Sequence, residues 1–317
     1  MNRLHRIVRR IHCSGTHHRF AVDALSLIRT DAGHRLATWL LYHYPSYLRG
    51  ATDPDLLFRD FHNHWLHIDD GDWGGAPRVA HQWYERLQKH LRAERYQQAA
   101  YAAGVLSHYV TDVMQPLHTS SNDRDAVIHR PLEWSIDQSY ERILKACRDE
   151  KLQAVIDLSD RHGWLGSMMI HAARYAHQKC QRLTDQYRFQ AGVRNPTAGL
   201  SEPTIGCLAE LFAVAITGWS RVLERAAAET ESYTGYPIAH CHTHLATVGA
   251  VAKTPLALWN RGSRRRRERR FIERLADEYF RTGQLVHWLP AEIDIKRRVI
   301  AIRNQERQYR QQQRKAA

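Results

Sequence analysis

The spacing of apolar residues along the chain predicts helices almost throughout. Between Arg78 and Arg92, for example, apolar side chains recur about four residues apart, at Val79, Trp83, Leu87 and Leu91, which is typical of a helix with one buried face. Helices are predicted in the same way over residues 32–41, 78–92, 96–114, 132–151, 166–187, 203–230 and 293–313. We find no strand-like alternation longer than four residues and no repeat of fixed period. The sequence therefore predicts an all-α, multi-helix bundle.

One long segment, from Arg49 to Pro77, interrupts this helical pattern. It is rich in Gly, Pro and Asp, and also in aromatic residues and histidines. Such a segment is too polar for a core and too aromatic for a simple linker. Since long loops of this content usually carry function, we expect it to contribute to a site.

Composition limits the class of protein. The 317 residues are 43% hydrophobic and 25% charged, as in ordinary globular proteins. No run of eighteen apolar residues is present, so we predict no membrane-spanning helix. The five scattered cysteines form no C-x-x-C pair, and the N-terminal MNRLHRIVRRIHCSG has no apolar signal segment. Both features predict a reducing, cytoplasmic location.

The net charge of +13 is concentrated near the C-terminus. From Arg261 onward there are 17 Lys and Arg residues against 7 Asp and Glu residues. We therefore predict a helical domain over 1–240 and a basic helical extension over 241–317. The run Arg264–Arg267 could contact an anionic membrane surface or nucleic acid phosphates, although no nucleic-acid-binding module is present.

The strongest chemical signal lies in the stretch from residue 108 to residue 133. It contains five typical metal ligands with the spacing H-x3-D-x5-H-x10-H-x3-E: His108, Asp112, His118, His129 and Glu133. The first pair and the last pair are each four residues apart, so each shares one face of a helix. Gln115-Pro116 is expected to end the first helix. Imidazole and carboxylate ligands in this arrangement suit zinc.

Five ligands do not complete a site with several ions, and further donors are expected upstream. A further helix is predicted from about Ser14 to Ile28, where apolar residues again follow helical spacing, and it offers His17. The long loop offers histidines and aspartates. Within the loop the choice stays open between Asp55 and Asp53, and between His64 and His67.

The residues around these donors resemble the zinc-dependent phospholipase C family, whose fold and metal site the fungal single-strand nucleases share. The resemblance covers about residues 14–230. It is carried by Asn63-His64-Trp65 and by an H-Y-x-G-D-x-x-x-P-x-H core, matched from His108-Tyr109 through Asp112 to Pro116-Leu117-His118. Thr111 stands where the family often has Gly.

This resemblance implies a ligand set. Asp55, His64, His108 and Asp112 would surround one zinc ion, and His118, His129 and Glu133 would hold a second. Asp112 would also bridge towards a third ion bound by His17. In the family an N-terminal tryptophan completes that third site, and no tryptophan lies near the start of this chain, where His12 or Cys13 is the alternative. Two zinc ions are therefore expected, with a third as an option.

The implied activity is hydrolysis of a phosphodiester, with phospholipid preferred. A zinc-activated hydroxide would attack phosphorus, and Asp55 would ligate zinc and assist as general base. Two alternatives stay open at this stage. One is a single-strand nuclease on the same metal site, with Trp65, Trp73 or Trp134 stacking a base. The other is a non-catalytic, metal-stabilised helical protein whose basic tail binds a partner.

Overall fold

A computed structural model describes residues 3–120, 126–230 and 240–316. Within these ranges there is no β-strand, apart from one isolated bridge between His67 and Trp73. The prediction of an all-α fold is confirmed. The described α-helices, in chain order, are α1 Arg3–Ile7, α2 Thr16–Ala24, α3 Asp31–Tyr42, α4 Tyr44–Gly50, α5 Ala76–Arg92, α6 Tyr96–Asp112, α7 His129–Asp149, α8 Trp164–His177, α9 Cys180–Gln186, α10 Phe189–Arg194, α11 Glu202–Ala228, α12 His240–Ala252, α13 Thr254–Thr282 and α14 Ala291–Ala316.

Most predicted helices are present, with shifted ends. The helix predicted over 166–187 is divided into α8 and α9, and residues 240–252, for which the apolar spacing predicted no separate helix, form α12. Helix α6 ends at Asp112 instead of Met114, because Gln115 is already extended (φ −76°, ψ 112°) ahead of Pro116. The long loop contains short helical turns at Pro54–Phe58, Phe61–Asn63 and Ile68–Asp70.

Helix α11 is the core helix of the bundle. The side chain of Ser201 accepts a hydrogen bond from the Thr204 amide and caps its start. Its fully buried Trp219 donates to the Tyr47 hydroxyl (2.8 Å), which donates in turn to the carbonyl of Ala21 (2.8 Å). These bonds join α11 to α4 and α2.

Among the described residues α11 is also the one helix long and apolar enough to cross a membrane. However, 78% of its apolar window is buried inside the protein. Length and composition are therefore weak evidence for a membrane span, because the core helix of a globular protein has the same properties.

Helices α4 and α6 cross with their backbones in direct contact. A Cβ atom added to Gly50 would lie 2.2 Å from the carbonyl oxygen of Tyr101, and one added to Gly104 would lie 2.1 Å from the carbonyl oxygen of Tyr47. Only glycine fits at either position. This close approach brings Ala51, just after α4, against His108 on α6.

The three C-terminal helices pack on the rest of the molecule. Arg261 of α13 donates to the carbonyls of Arg10, Ile11 and Cys13 at 2.7–2.8 Å. Arg303 of α14 is ion-paired with Asp70 of the long loop. The division predicted at residue 240 stays a prediction, and residues 231–239, just before it, lie outside the described residues.

Candidate metal centre

Each predicted ligand is placed by an identifiable local structure. His108 and Asp112 occupy the last turns of α6, and His129 and Glu133 the first turns of α7. His118 lies between these helices, in the helical turn Pro116–His118. The amide of Leu66 donates to the His118 carbonyl (3.0 Å), so the long loop is held against this turn.

The first group of ligand atoms surrounds Asp112. His64 Nδ1 lies 3.1 Å from Asp112 Oδ2, 3.6 Å from Asp55 Oδ1 and 3.3 Å from His108 Nε2. His108 Nε2 is also 3.6 Å from Asp55 Oδ1. The ligand atoms of Asp55, His64 and His108 all lie within 4.8 Å of one another.

The orientation of His108 is fixed by the backbone. Its Nδ1 lies 3.0 Å from the carbonyl oxygen of Ala51, so Nδ1 carries the proton and donates. This leaves the Nε2 lone pair facing Asp55 and His64. Metal-binding histidines typically use their second nitrogen in this way.

His17 of α2 lies on the other side of His108. The two rings stack with centroids 3.9 Å apart, and His17 Nε2 is 3.7 Å from Asp112 Oδ1. His17, His108 and Asp112 form a further group that could hold a metal ion. Asp112 therefore faces His64 with one oxygen and His17 with the other.

The second group lies between α6 and α7. His118 Nε2 and His129 Nε2 are 3.2 Å apart, and Glu133 Oε1 is 3.7 Å and 3.2 Å from them. A second carboxylate of this group comes from α14, where Glu292 Oε1 lies 3.0 Å from His118 Nε2 and 3.2 Å from His129 Nε2. His118 Nδ1 is 2.9 Å from Asp112 Oδ2, which joins this group to the first.

The chemistry of these atoms fits zinc. Glu292 Oε1 and His118 Nδ1 are buried and close to opposite charges, yet neither forms an aligned hydrogen bond within the described part of the chain. Across the three groups, five imidazoles and four carboxylates converge. Buried carboxylates need a compensating positive charge, which a protonated imidazole or a metal ion can supply, and nitrogen and carboxylate donors in sets of three or four are typical of zinc sites.

The charges of the second group are strongly coupled. Burial opposes charge on His129, but the carboxylates of Glu292 and Glu133 raise its pKa to about 9. Burial likewise opposes ionisation of Glu292, and His129 and His118 hold the pKa of its carboxyl well below the usual range. The Glu292 carboxylate is therefore available as an anionic ligand at neutral pH.

The first group shows the same pattern. Burial opposes charge on His64, but hydrogen-bonding contacts with Asp112 and Asp60 raise its pKa to about 10. For Asp55, burial is outweighed by His108 and His64, so the pKa of its carboxyl is lowered. The Asp55 side chain is 37% exposed, which leaves an ionised oxygen accessible from solvent.

All eight predicted ligands lie in these groups, and the geometry bears on the alternatives. His67 is buried beside Trp65 and outside the groups, whereas His64 points into one. Asp53 instead accepts hydrogen bonds from Tyr101 (2.8 Å) and Arg49 (3.2 Å). The placement favours His64 over His67 and Asp55 over Asp53.

Neither alternative donor for the third ion points into a group. The imidazole of His12 lies 3.0 Å from the Ala250 carbonyl, and the thiol of Cys13 donates weakly to the His18 carbonyl (3.5 Å).

Sequence reasoning missed two carboxylates. Glu292 lies with Asp294 in the first turn of α14, where acidic residues are common for helix-dipole reasons, so no spacing pattern marked it as a ligand. Asp60, whose Oδ1 is 3.4 Å from His64 Nε2, resembled ordinary turn chemistry in a loop rich in aspartate.

A cavity of about 130 Å³ opens onto these groups. Its polar lining includes His17, Asp55, Asp112, His118 and Glu133, and its apolar lining includes Phe20, Leu208, Leu211 and Phe212. Arg264, Arg265 and Glu268 of α13 line it from the C-terminal side.

Residues 16–184 match the protein family described as zinc dependent phospholipase C. No curated protein matches the chain. The matched stretch carries seven of the α-helices, α2 to α8, and all eight predicted ligands, and it covers more than half of the 317 residues. The chain therefore belongs to the zinc-dependent phospholipase C family.

Proposed function

We propose that the protein is a zinc-dependent phosphodiesterase that prefers phospholipid substrates. The observation that carries this proposal is the position of the ligand groups, which meet at Asp112 in the lining of one cavity. His64, His108, Asp55 and Asp112 would hold one zinc ion, His118, His129 and Glu133 a second, and His17 with Asp112 a third. Bound zinc supplies an activated water and charge stabilisation on the phosphate.

The surrounding residues support this chemistry. Asp55 is ionised and partly exposed, so it can ligate and also accept a proton from the attacking water. The guanidinium groups of Arg264 and Arg265 line the cavity and favour an anionic substrate. The apolar lining residues, among them Phe20 and Phe212, suit the glycerol and first acyl carbons of a phospholipid better than a second charged group.

One observation favours a second candidate, a single-strand nuclease. Of the three tryptophans considered for base stacking, Trp134 lines the cavity. Trp65 is 1% exposed, and the ring of Trp73 is covered by Arg303, whose guanidinium lies 3.9 Å from the ring centroid. Trp134 could stack a base.

The test combines metal analysis with a substrate panel. Purified protein should contain two or three zinc ions and lose turnover of phosphatidylcholine on treatment with a chelator. Asp112→Asn should lower kcat by about 100-fold or more, since even residues that only support a metal ligand cost about 10- to 100-fold. Asp185→Asn, on the exposed face of α9, is the matched control. Zinc-free protein, or full turnover in Asp112→Asn, would refute the proposal, and cleavage of single-stranded DNA alone would favour the nuclease.

A further inference from the structure

Glu292 adds a fourth donor to the second ligand group, and it lies in a part of the chain that the family match does not cover. The match ends at residue 184, and Glu292 lies more than a hundred residues later. Its side chain is 12% exposed, and Oε1 faces the Nε2 atoms of both His118 and His129. With Glu133, four donor atoms lie within 4.8 Å of one another.

We propose that Glu292 is the fourth protein ligand of the second zinc site, and that zinc thereby fastens the C-terminal helices over the active-site cavity. A substrate phosphate then reaches this zinc ion only when Glu292 withdraws. The inference about access rests on the proposed phosphodiesterase function, whereas the inference about ligation does not.

The number of protein ligands supports this role. Structural zinc sites typically have four protein ligands, while catalytic sites have three and keep one position for water or substrate. His118, His129 and Glu133 alone make an open site, and Glu292 makes it a closed one. Glu292 therefore occupies the position that a phosphate oxygen requires.

The surroundings of Glu292 hold it in this place. Before α14, the side chain of Glu278 accepts hydrogen bonds from the amides of His287 (2.9 Å) and Trp288 (2.8 Å), which shapes the connection from α13. One turn after Glu292, Lys296 is 3% exposed, and its ammonium lies 3.4 Å from the Leu117 carbonyl, next to His118. The carboxylate is thus presented by an anchored helix rather than by a free surface side chain.

A second contact of the C-terminal helices supports the same closed arrangement. Arg130 of α7 donates to both oxygens of Glu268 on α13, at 2.7 Å and 2.9 Å, and also to Glu133 Oε2 at 3.2 Å. Arg130 therefore links α13 directly to a ligand of the second group. Farther along α14, Arg303 and Arg307 are both paired with Asp70.

The experiment uses the full chain loaded with cobalt or zinc and compares Glu292→Gln with Glu306→Gln, an exposed position on the same helix. Glu292→Gln should weaken metal binding at one site by about 10-fold or more in competition with a chromophoric chelator. The visible spectrum of the cobalt protein should change in Glu292→Gln and stay unchanged in Glu306→Gln.

Access is tested with inorganic phosphate as the probe. A closed site in which the open state is a minor population binds phosphate weakly, so Glu292→Gln should bind it about 10-fold more tightly or better, as measured by the cobalt spectrum. The double variant Arg303→Ala/Arg307→Ala leaves Glu292 intact and loosens α14. It should shift phosphate affinity in the same direction, and it provides a second measurement if Glu292→Gln folds poorly.

The outcomes separate this inference from the proposed function. If Glu292→Gln matches Glu306→Gln in metal affinity, cobalt spectrum and phosphate affinity, Glu292 is not a ligand and the inference fails, whatever the turnover. If the spectrum and affinities change as expected and no variant hydrolyses a phosphodiester, the ligation stands and the proposed function fails.

Discussion

Among single residues, Asp60 shows how the first ligand group is oriented. The hydroxyl of Tyr109 donates to both of its oxygens, at 3.0 Å and 2.8 Å, and the side-chain amide of Asn63 donates at 2.9 Å. Asp60 therefore stays beside His64 Nε2 while His64 Nδ1 faces Asp112 and Asp55. A carboxylate on the far nitrogen of a metal-binding histidine fixes the ring and strengthens it as a ligand.

We predict that Asp60→Asn weakens zinc binding by about 10- to 100-fold while leaving every ligand in place. The reason is that an amide supports the His64 ring less strongly than a carboxylate does. Affinity would be measured by competition with a chelator, and Asp185→Asn serves as the charge-matched control. Equal affinities in the two variants would show that Asp60 does not support the site.

The buried ring of His67 makes the free energy of unfolding depend on pH. Its ring is fully buried beside Trp65 and Trp73, with centroid distances of 5.7 Å and 5.6 Å, and neither nitrogen has a hydrogen-bond partner within the described residues. Burial and the charge of Lys296 lower its pKa from 6.5 to about 3. The folded protein therefore keeps this ring neutral at a pH where the unfolded chain protonates it.

From this shift we predict that the free energy of unfolding falls as the pH falls below 6.5. Between the two pKa values the unfolded chain binds more protons, so acid favours unfolding by up to about 1.4 kcal/mol per pH unit. Urea unfolding at about pH 6 and about pH 5 would measure this slope in the wild type and in His67→Leu. The variant should show the smaller slope, and identical slopes would contradict the prediction.

At the scale of elements, the crossing of α4 and α6 is the contact on which the site depends most directly. The two helices approach until Gly50 and Gly104 leave no room for a side chain. The same approach allows the Ala51 carbonyl to accept a hydrogen bond from His108, which sets the direction of a predicted ligand. The close packing of α4 against α6 therefore also determines how the His108 ring is oriented in the candidate metal centre.

We predict that Gly104→Ala lowers the free energy of unfolding by about 2 kcal/mol or more, because the added methyl group forces the backbones apart. Gly249→Ala is the control, since its Cβ would meet nothing within 4 Å on helix α12. That substitution should stabilise the protein by about 0.5–1 kcal/mol through helix propensity. Urea denaturation measures both, and an equal effect of the two would contradict the packing argument.

The helices could be predicted because apolar side chains mark their buried faces. The errors occur where no such signal exists. The break between α8 and α9 falls at Gln178-Lys179, without Gly or Pro to mark it. The bounds of α12 were not predicted, because its apolar residues are spread around the helix instead of being gathered on one face.

At the scale of the whole molecule, the predictable part of the site is the part that is local in sequence. Helical spacing identifies four of the predicted ligands, His108, Asp112, His129 and Glu133. The family resemblance added Asp55, His64 and His17. Glu292 could not be found in this way, because its relation to His118 exists only after α14 has packed. The ligand roles, the division at residue 240 and the cytoplasmic location stay predictions.

The position of Glu292 along the chain has a consequence for biosynthesis. Glu292 lies roughly 160 residues after Glu133, which a ribosome working at about 5–20 residues per second makes some 10–30 s later. During this interval the nascent chain already carries His118, His129 and Glu133. A zinc ion bound during this interval would meet an open, three-ligand site, and Glu292 would be the last of the four proposed ligands to be synthesised. The order of translation would then also be the order in which the proposed centre is first built and then closed.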